Sequence, residues 1–398
     1  MSSPPRPCAY SRARCRIIDP IGLLRDLIAI PSINPRDELS FARPFGETAV
    51  IDHLEDVLAR SRFDVERQTA CPGRDNLLAR VDGVDPSRVL LLESHVDTVG
   101  VEGYRGDPFD PVLRDGRVYG RGSCDDKAQV AAMVAALADV TSSGRPQHTV
   151  LLVLAVGEEY NFTGARALVE SGLGADGAVV GEPTELQVIT AHKGAVRMRC
   201  ITEGVAAHSS EPSAGVNAIY RMARVLAALE RHAGALVGRQ PHARLGTPTL
   251  SVGTIAGGRD TNIVPDRCVI SLDRRVLPGE DSGTVIAEIQ RAVLDDPGLD
   301  FPVEFVVDLA DHPMETPEGA TITRSLCAAC EAVRGHSQVS AVRYGTDASK
   351  FAAAGIPSVV FGAGSIRQAH TVDEYVEVEQ VWQATAVLRR LLEQGLLG

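Results

Sequence analysis

RVLLLESHVDTVG, Arg88 to Gly100, begins as an unbroken apolar run and closes on Glu93, Ser94, His95 and Asp97. The run reads as a buried strand, and its polar end is what must be explained. His95 and Asp97, two positions apart on a strand, project from one face. They are either a hydrogen-bonded pair closing the strand or a metal ligand beside its orienting carboxylate.

The flanking segments set the architecture. Asp19-Pro20 followed by IGLLRDLIAI has an N-cap, a proline in the first turn and helical apolar spacing. GETAVIDHLEDVLARSRF reads as a second helix, FDVERQTA and NLLARVDG as strands, KAQVAAMVAALADV as a helix, and HTVLLVLAVG as a further strand. GAVVGEP is a short apolar run that stops on polar residues. Strands alternating with helices predict an α/β fold with a mostly parallel sheet. Beyond Lys193-Gly194 the pattern becomes strand, helix, strand, strand, helix, strand through FPVEFVVDLA, a compact α+β insertion. The α/β pattern resumes with TITRSLCAACEAVRG, PSVVFGA and EQVWQATAVLRRLLEQ. The expected division is a disordered arm at 1–18, a main domain formed by 19–193 and 311–398, and an inserted domain at 194–310.

Bulk properties exclude several classes. A chain of 398 residues can bury a large core in two domains. Its formal charge of −12 argues against a nucleic-acid or anionic-membrane surface. The longest apolar run, TVLLVLAVG, is far short of the ~20 residues that span a bilayer. MSSPPRPCAYSRARCRI lacks the apolar core of a secretory signal. The eight scattered cysteines then read as reduced thiols of a cytoplasmic protein. Cys327 and Cys330 form the one CxxC, but no second pair completes a zinc site.

Chemistry concentrates where the strands of the main domain end. His95 and Asp97 close one strand, and Asp125 sits in the glycine-rich GRGSCDDKA. Glu158 and Glu159 close TVLLVLAVG, Glu182 closes GAVVGEP, and His370 follows PSVVFGA. Each has an ordinary reading alone: a hydrogen-bonded pair, a helix cap, a solvated acidic loop, a surface turn. Together they form a nitrogen-and-oxygen set suited to zinc, at the sheet edge where parallel α/β folds bind ligands. No G-x-S-x-G elbow supports a serine hydrolase, and Cys124 reads as a small packing residue.

SHVDTV, YGRGSCDDKA, GEEYNFTG, GEPT, AAHSSEPSAGVNAI, NIVPDRC, DRRVLPGE, YGTDA and GSIRQAHTVDEY, in this order, resemble the M20 family of metallopeptidases and amidohydrolases. The likeness runs through nearly all of the chain beyond residue 20. It is closest to the branch holding acetylornithine deacetylase and succinyl-diaminopimelate desuccinylase. The resemblance implies a zinc exopeptidase-like catalytic domain with a ferredoxin-like inserted lid that also forms a homodimer. It implies two zinc ions, with cobalt as a substitute: one on His95, Asp125 and Glu182, the other on Asp125, Glu159 and His370. Asp97 would fix the His95 ring. Glu158 would be the general base, taking a proton from the attacking water and returning it to the leaving amine. His208 of the lid would help hold the developing oxyanion in a partner's site, with Asn262 close by. Arg275 would grip the substrate α-carboxylate, and Gly345 and Thr346 would line the pocket. Asp347 is expected to cap a helix. Ala128 stands where the family often has glycine, after Lys127, a departure that touches loop packing. The implied reaction removes the acyl group from an N-acyl amino acid such as N-acetyl-ornithine. The alternatives are N-succinyl-diaminopimelate desuccinylation, cleavage of a dipeptide or C-terminal residue, and, remotely, a non-catalytic metabolite-binding role.

Overall fold

The computed structural model describes residues 18–35, 46–61 and 63–398, so the expected N-terminal arm lies, but for Ile18, outside the described residues. The apolar run that opened the reading is the strand Asp85–His95. It lies between His148–Ala155 and Gly177–Val180, with Ser358–Val360 next, and these four neighbours run parallel. Toward either edge the sheet continues through antiparallel pairs: Asp64–Cys71 and Arg74–Val81 on one side, Val188–His192 and Met314–Glu315 on the other. The parallel strands are buried on both faces. Leu90 and Leu92 join one apolar cluster while Leu91 joins another across the sheet, which is why the sequence shows no alternation there.

Lys127–Ser143 is apolar nearly all round because it is enclosed between the sheet and the helices Pro20–Ile28 and Val378–Gln394. Pro20–Ile28 starts as read, with Asp19 accepting from the Ile21 amide at 3.1 Å. Carbonyls at and just beyond its end are met by the buried Lys127 ammonium, 2.9 Å from Leu27 O and 2.8 Å from Ile30 O.

The segment between the two halves forms its own antiparallel sheet, in the order Thr249–Gly257, Arg267–Val276, Gly194–Glu203, Glu304–Asp311. The helices Ala218–Val237 and Ser282–Leu294 are capped by Asn217 and Asp281. They pack on this sheet around Met198, Met222, Leu229, Ile270 and Ile289. Where the outgoing and returning chains pass, a Cβ on Gly194 would lie 2.5 Å from Asp311 O, so the crossing requires glycine. The described cysteines are free thiols. Among the described residues no helix is long and apolar enough to cross a membrane.

Candidate metal centre

The four parallel strands deliver their carboxyl ends side by side. His95 is the last residue of its strand. After His148–Ala155, Gly157 turns the chain at φ 80° into the short helix Glu158–Asn161. A Cβ at Gly157 would sit 3.0 Å from Arg74 Nη2 and 3.1 Å from Thr163 Cβ, so both space and backbone call for glycine. Glu182 follows Gly177–Val180, and Asp125 lies just before the helix Lys127–Ser143. His370 follows Ser358–Val360 in a left-handed conformation, φ 62°.

These residues converge. Asp125 Oδ1 lies 3.0 Å from His95 Nε2, and Asp125 Oδ2 lies 3.3 Å from His370 Nε2. His370 Nε2 is also 3.0 Å from Glu159 Oε2. Ligand atoms of His95, Asp125 and Glu182 lie within 4.8 Å of one another, and so do those of Asp125, Glu159 and His370. One carboxylate therefore belongs to both groups and offers one oxygen to each. Imidazole nitrogen with carboxylate oxygen is a donor set that suits zinc or cobalt. Four of the five side chains are nearly sealed from solvent, while His370 is half exposed and leaves one side open.

The charge pattern asks for a cation. Burial, with the repulsion of neighbouring carboxylates, pushes Glu158 and Glu182 well above the usual carboxylate range and Glu159 up to about 7. Hydrogen bonds to Asp125 and Glu159 raise His370 to about 11. Burial alone would lower His95, but its bonds to Asp125 and Asp97 outweigh that and hold it well above its ordinary value. Without a cation the cluster holds protons that metal binding displaces.

Asp97 faces the His95 ring with two of its oxygens. The nearest acceptor to His95 Nδ1 is the Asp97 main-chain oxygen at 3.1 Å, with the carboxylate at 3.5 Å. The carboxylate also accepts from the amides of Gly157 (2.9 Å), Glu158 (3.1 Å) and Glu159 (3.1 Å), and from Asn34 Nδ2 (2.6 Å). It anchors the turn that carries Glu158 and Glu159. Sequence reasoning passed over Asn34, and also Glu374, a wholly buried carboxylate that binds the Arg121–Asp125 loop. The signals present were the asparagine of PSINP and the acidic pair closing HTVDEY. Only the folded chain shows what they bind.

The substrate-side residues are less gathered. Arg275 stands on the inserted sheet with its Nε 2.8 Å from Asp273 Oδ1, so it carries an ion pair here. Asp273 lines a cavity of about 560 Å³ with Tyr160, Arg197, Arg199, Ser251 and Asp308. That cavity joins the Glu158–Asn161 helix to the inserted sheet. Gly345 is half-buried, and a side chain there would meet Asp311 Oδ2 at 3.1 Å. Thr346 corrects the expectation of a pocket-lining hydroxyl. It is fully buried, bonded to His192 Nε2 at 3.1 Å, and accepts from the Ala348 amide at 3.2 Å. Thr346 thus supplies the side-chain cap expected from Asp347, which makes no cap bond. His208 and Asn262 lie exposed on the inserted unit, His208 Nδ1 2.7 Å from Ser210 Oγ. Among the described residues, no hydrogen bond or ion pair joins His208, Asn262 or Arg275 to the ligand cluster.

Residues 91–394 match the profile of a family described as peptidase family M20/M25/M40. An acetylornithine deacetylase from Myxococcus xanthus is 33% identical over 353 residues, 86% of this chain and 90% of that one. An M20 family metallo-carboxypeptidase from Sulfolobus solfataricus superposes with a TM-score of 0.78 at 18% identity, covering 94% of this chain and 98% of that chain. A dinuclear metal binding M20 peptidase from Bacillus subtilis gives 0.68 at 16% identity, with the same coverage. At such identities the two superpositions speak to the fold alone.

Proposed function

The chain belongs to peptidase family M20/M25/M40 and is a metal-dependent hydrolase, and from that premise we propose that it is a dinuclear amidohydrolase releasing the acyl group of an N-acyl amino acid. N-acetyl-ornithine is the leading substrate, supported by the 33% identity to the Myxococcus deacetylase. The observation that carries the reading is Asp125, whose two oxygens face two different histidines. His95, Asp125 and Glu182 would hold one zinc ion, and Asp125, Glu159 and His370 the other, with cobalt as a substitute. Such ions supply Lewis acidity to a carbonyl oxygen and make a water more acidic.

The chain's own residues do the rest. Glu158, held beside the cluster by Asp97, takes a proton from the attacking water and delivers it to the departing amine. Residues 19–193 with 311–398 act as the catalytic body and 194–310 as the lid. The substrate carboxylate competes with Asp273 for Arg275. The lid also forms a homodimer. Its exposed Tyr220, Ile255 and Val205 supply apolar area for that contact. In the dimer, His208 and Asn262 of one chain serve the site of the other.

The test is amine release by chelator-stripped protein given zinc or cobalt. The panel holds N-acetyl-ornithine, other N-acetyl amino acids, N-succinyl-diaminopimelate and dipeptides. Metal-dependent release from N-acyl amino acids, lost in Glu158→Ala, is expected. Release from dipeptides alone overturns the deacylase reading in favour of an exopeptidase.

A further inference from the structure

Glu374, like Asp97, is a carboxylate outside the ligand set that accepts four hydrogen bonds. It is wholly buried, four residues after His370, and reaches across to the loop that carries Asp125. Its Oε1 accepts from the Cys124 amide at 2.9 Å and from the Asp125 amide at 3.1 Å. Its Oε2 accepts from the Gly122 amide at 3.1 Å and from Arg121 Nη1 at 2.6 Å. Arg121 is itself buried and also donates to Gly100 O at 3.1 Å.

Those four donors come from one short loop, and that loop has no regular secondary structure to hold it. Gly122 sits at φ 81°, and Ser123 makes no side-chain hydrogen bond among the described residues. The loop's shape therefore depends on an acceptor supplied from elsewhere in the chain. The acceptor comes from the segment that also carries His370. The opposite side of Asp125 is held separately: Asp126 Oδ1 and Cys124 O both accept from Gln129 Nε2, at 2.8 and 2.9 Å.

We propose that Glu374 is a positioning residue for the metal pair, tying the backbone of the shared ligand Asp125 to the segment bearing His370 so that the centre is preformed. This rests on the two-metal reading above. A buried carboxylate accepting three amides and a guanidinium has two jobs. It satisfies donors that would otherwise be orphaned, and it fixes how far Asp125 stands from His370. No side chain of the same length but without two acceptor oxygens does both. In Glu374→Gln the amide nitrogen must face either the Cys124 and Asp125 amides or the Gly122 amide and Arg121. Loss of an outer partner of this kind costs a metal site ~10- to 100-fold in affinity.

The experiment titrates chelator-stripped wild type, Glu374→Gln and Glu374→Asp with zinc by calorimetry. It records the visible spectrum of each with cobalt and the melting temperature of each without metal. The expected result is two ions in the wild type. In Glu374→Gln the weaker ion loses ~10-fold or more in affinity and the cobalt spectrum changes. Glu374→Asp should recover part of the affinity. A folded Glu374→Gln with wild-type affinities and spectrum, whatever its melting temperature, would show a purely structural role and overturn the inference. If Glu374→Gln does not fold, Arg121→Gln removes one of the four donors and must weaken the same ion. Unchanged binding there overturns the inference equally. A wild type that binds fewer than two ions overturns the two-metal reading itself, a failure distinct from two tight ions in every variant.

Discussion

Asp97→Asn tests the anchoring of the turn that carries Glu158 and Glu159. The carboxylate is fully buried and accepts four hydrogen bonds, three of them from consecutive amides of Gly157, Glu158 and Glu159. Asparagine has the same shape but only one acceptor oxygen. In the least costly placement that oxygen keeps Gly157 and Glu158, and Asn34 turns its own carbonyl toward the new amide. The Glu159 amide is then orphaned, at about 2 kcal/mol. The two retained bonds become neutral instead of charge-assisted, at about 1 kcal/mol each. The sum is about 4 kcal/mol, which lowers the melting temperature by about 8 °C in a domain of this size. Melting is followed by circular dichroism on chelator-stripped protein at neutral pH, so that weakened metal binding cannot contribute. With metal restored, turnover should fall about 100-fold, because the turn presents both Glu158 and Glu159. A metal-free variant that melts within 2 °C of the wild type would refute the reasoning.

Gly157→Ala places a Cβ against Arg74 and Thr163 in a left-handed turn. It should cost about 1–2 kcal/mol of stability and, at the same time, weaken zinc binding in calorimetry. A loss of stability with metal affinity intact would contradict the coupling of turn to site. His192 is buried between Lys193 O (3.0 Å) and Thr346 Oγ1 (3.1 Å), and burial lowers its pKa to about 4. The unfolded ring takes a proton below about pH 6.5 while the folded one does not until about 4, so stability falls as pH drops through that window. His192→Gln should remove up to about 3 kcal/mol of that fall, read as the difference between the two urea-denaturation profiles from pH 7 to pH 4. A difference that stays constant across the window would exclude His192 as its source. Excess chelator should lower the wild-type melting temperature and leave that of Asp125→Asn nearly unchanged, since metal stabilises only a protein that binds it. An equal drop in both would argue against Asp125 as a shared ligand.

The positions of four of the five candidate ligands were legible because each comes after an apolar run that ends on polar residues, while Asp125 stood out in a glycine-rich loop before a helix. A buried parallel strand has no reason to end on His95, or to lead at once into Glu159 or Glu182, unless something at the sheet edge uses them. The βαββαβ insertion was legible from periodicity, since its strands alternate and its helices carry one apolar stripe. The antiparallel flanks were less so. Val188–His192 is only five residues long and buried throughout, and Met314–Glu315 is two residues, too short for any pattern. What no pattern encodes is the choice of partner for a buried polar group. Asp97 and Glu374 bind backbone amides, which every sequence supplies alike, so only the tertiary path of the chain shows where those carboxylates go. Thr346 is the same lesson reversed: a residue type fit for a pocket is spent inside, on His192 and a helix cap.

The most direct measurement is anomalous X-ray diffraction at the zinc edge from crystals of the zinc-loaded protein. The account predicts two peaks with Asp125 between them, one flanked by His95 and Glu182 and the other by Glu159 and His370. A single peak, or two peaks that do not share Asp125, would contradict it.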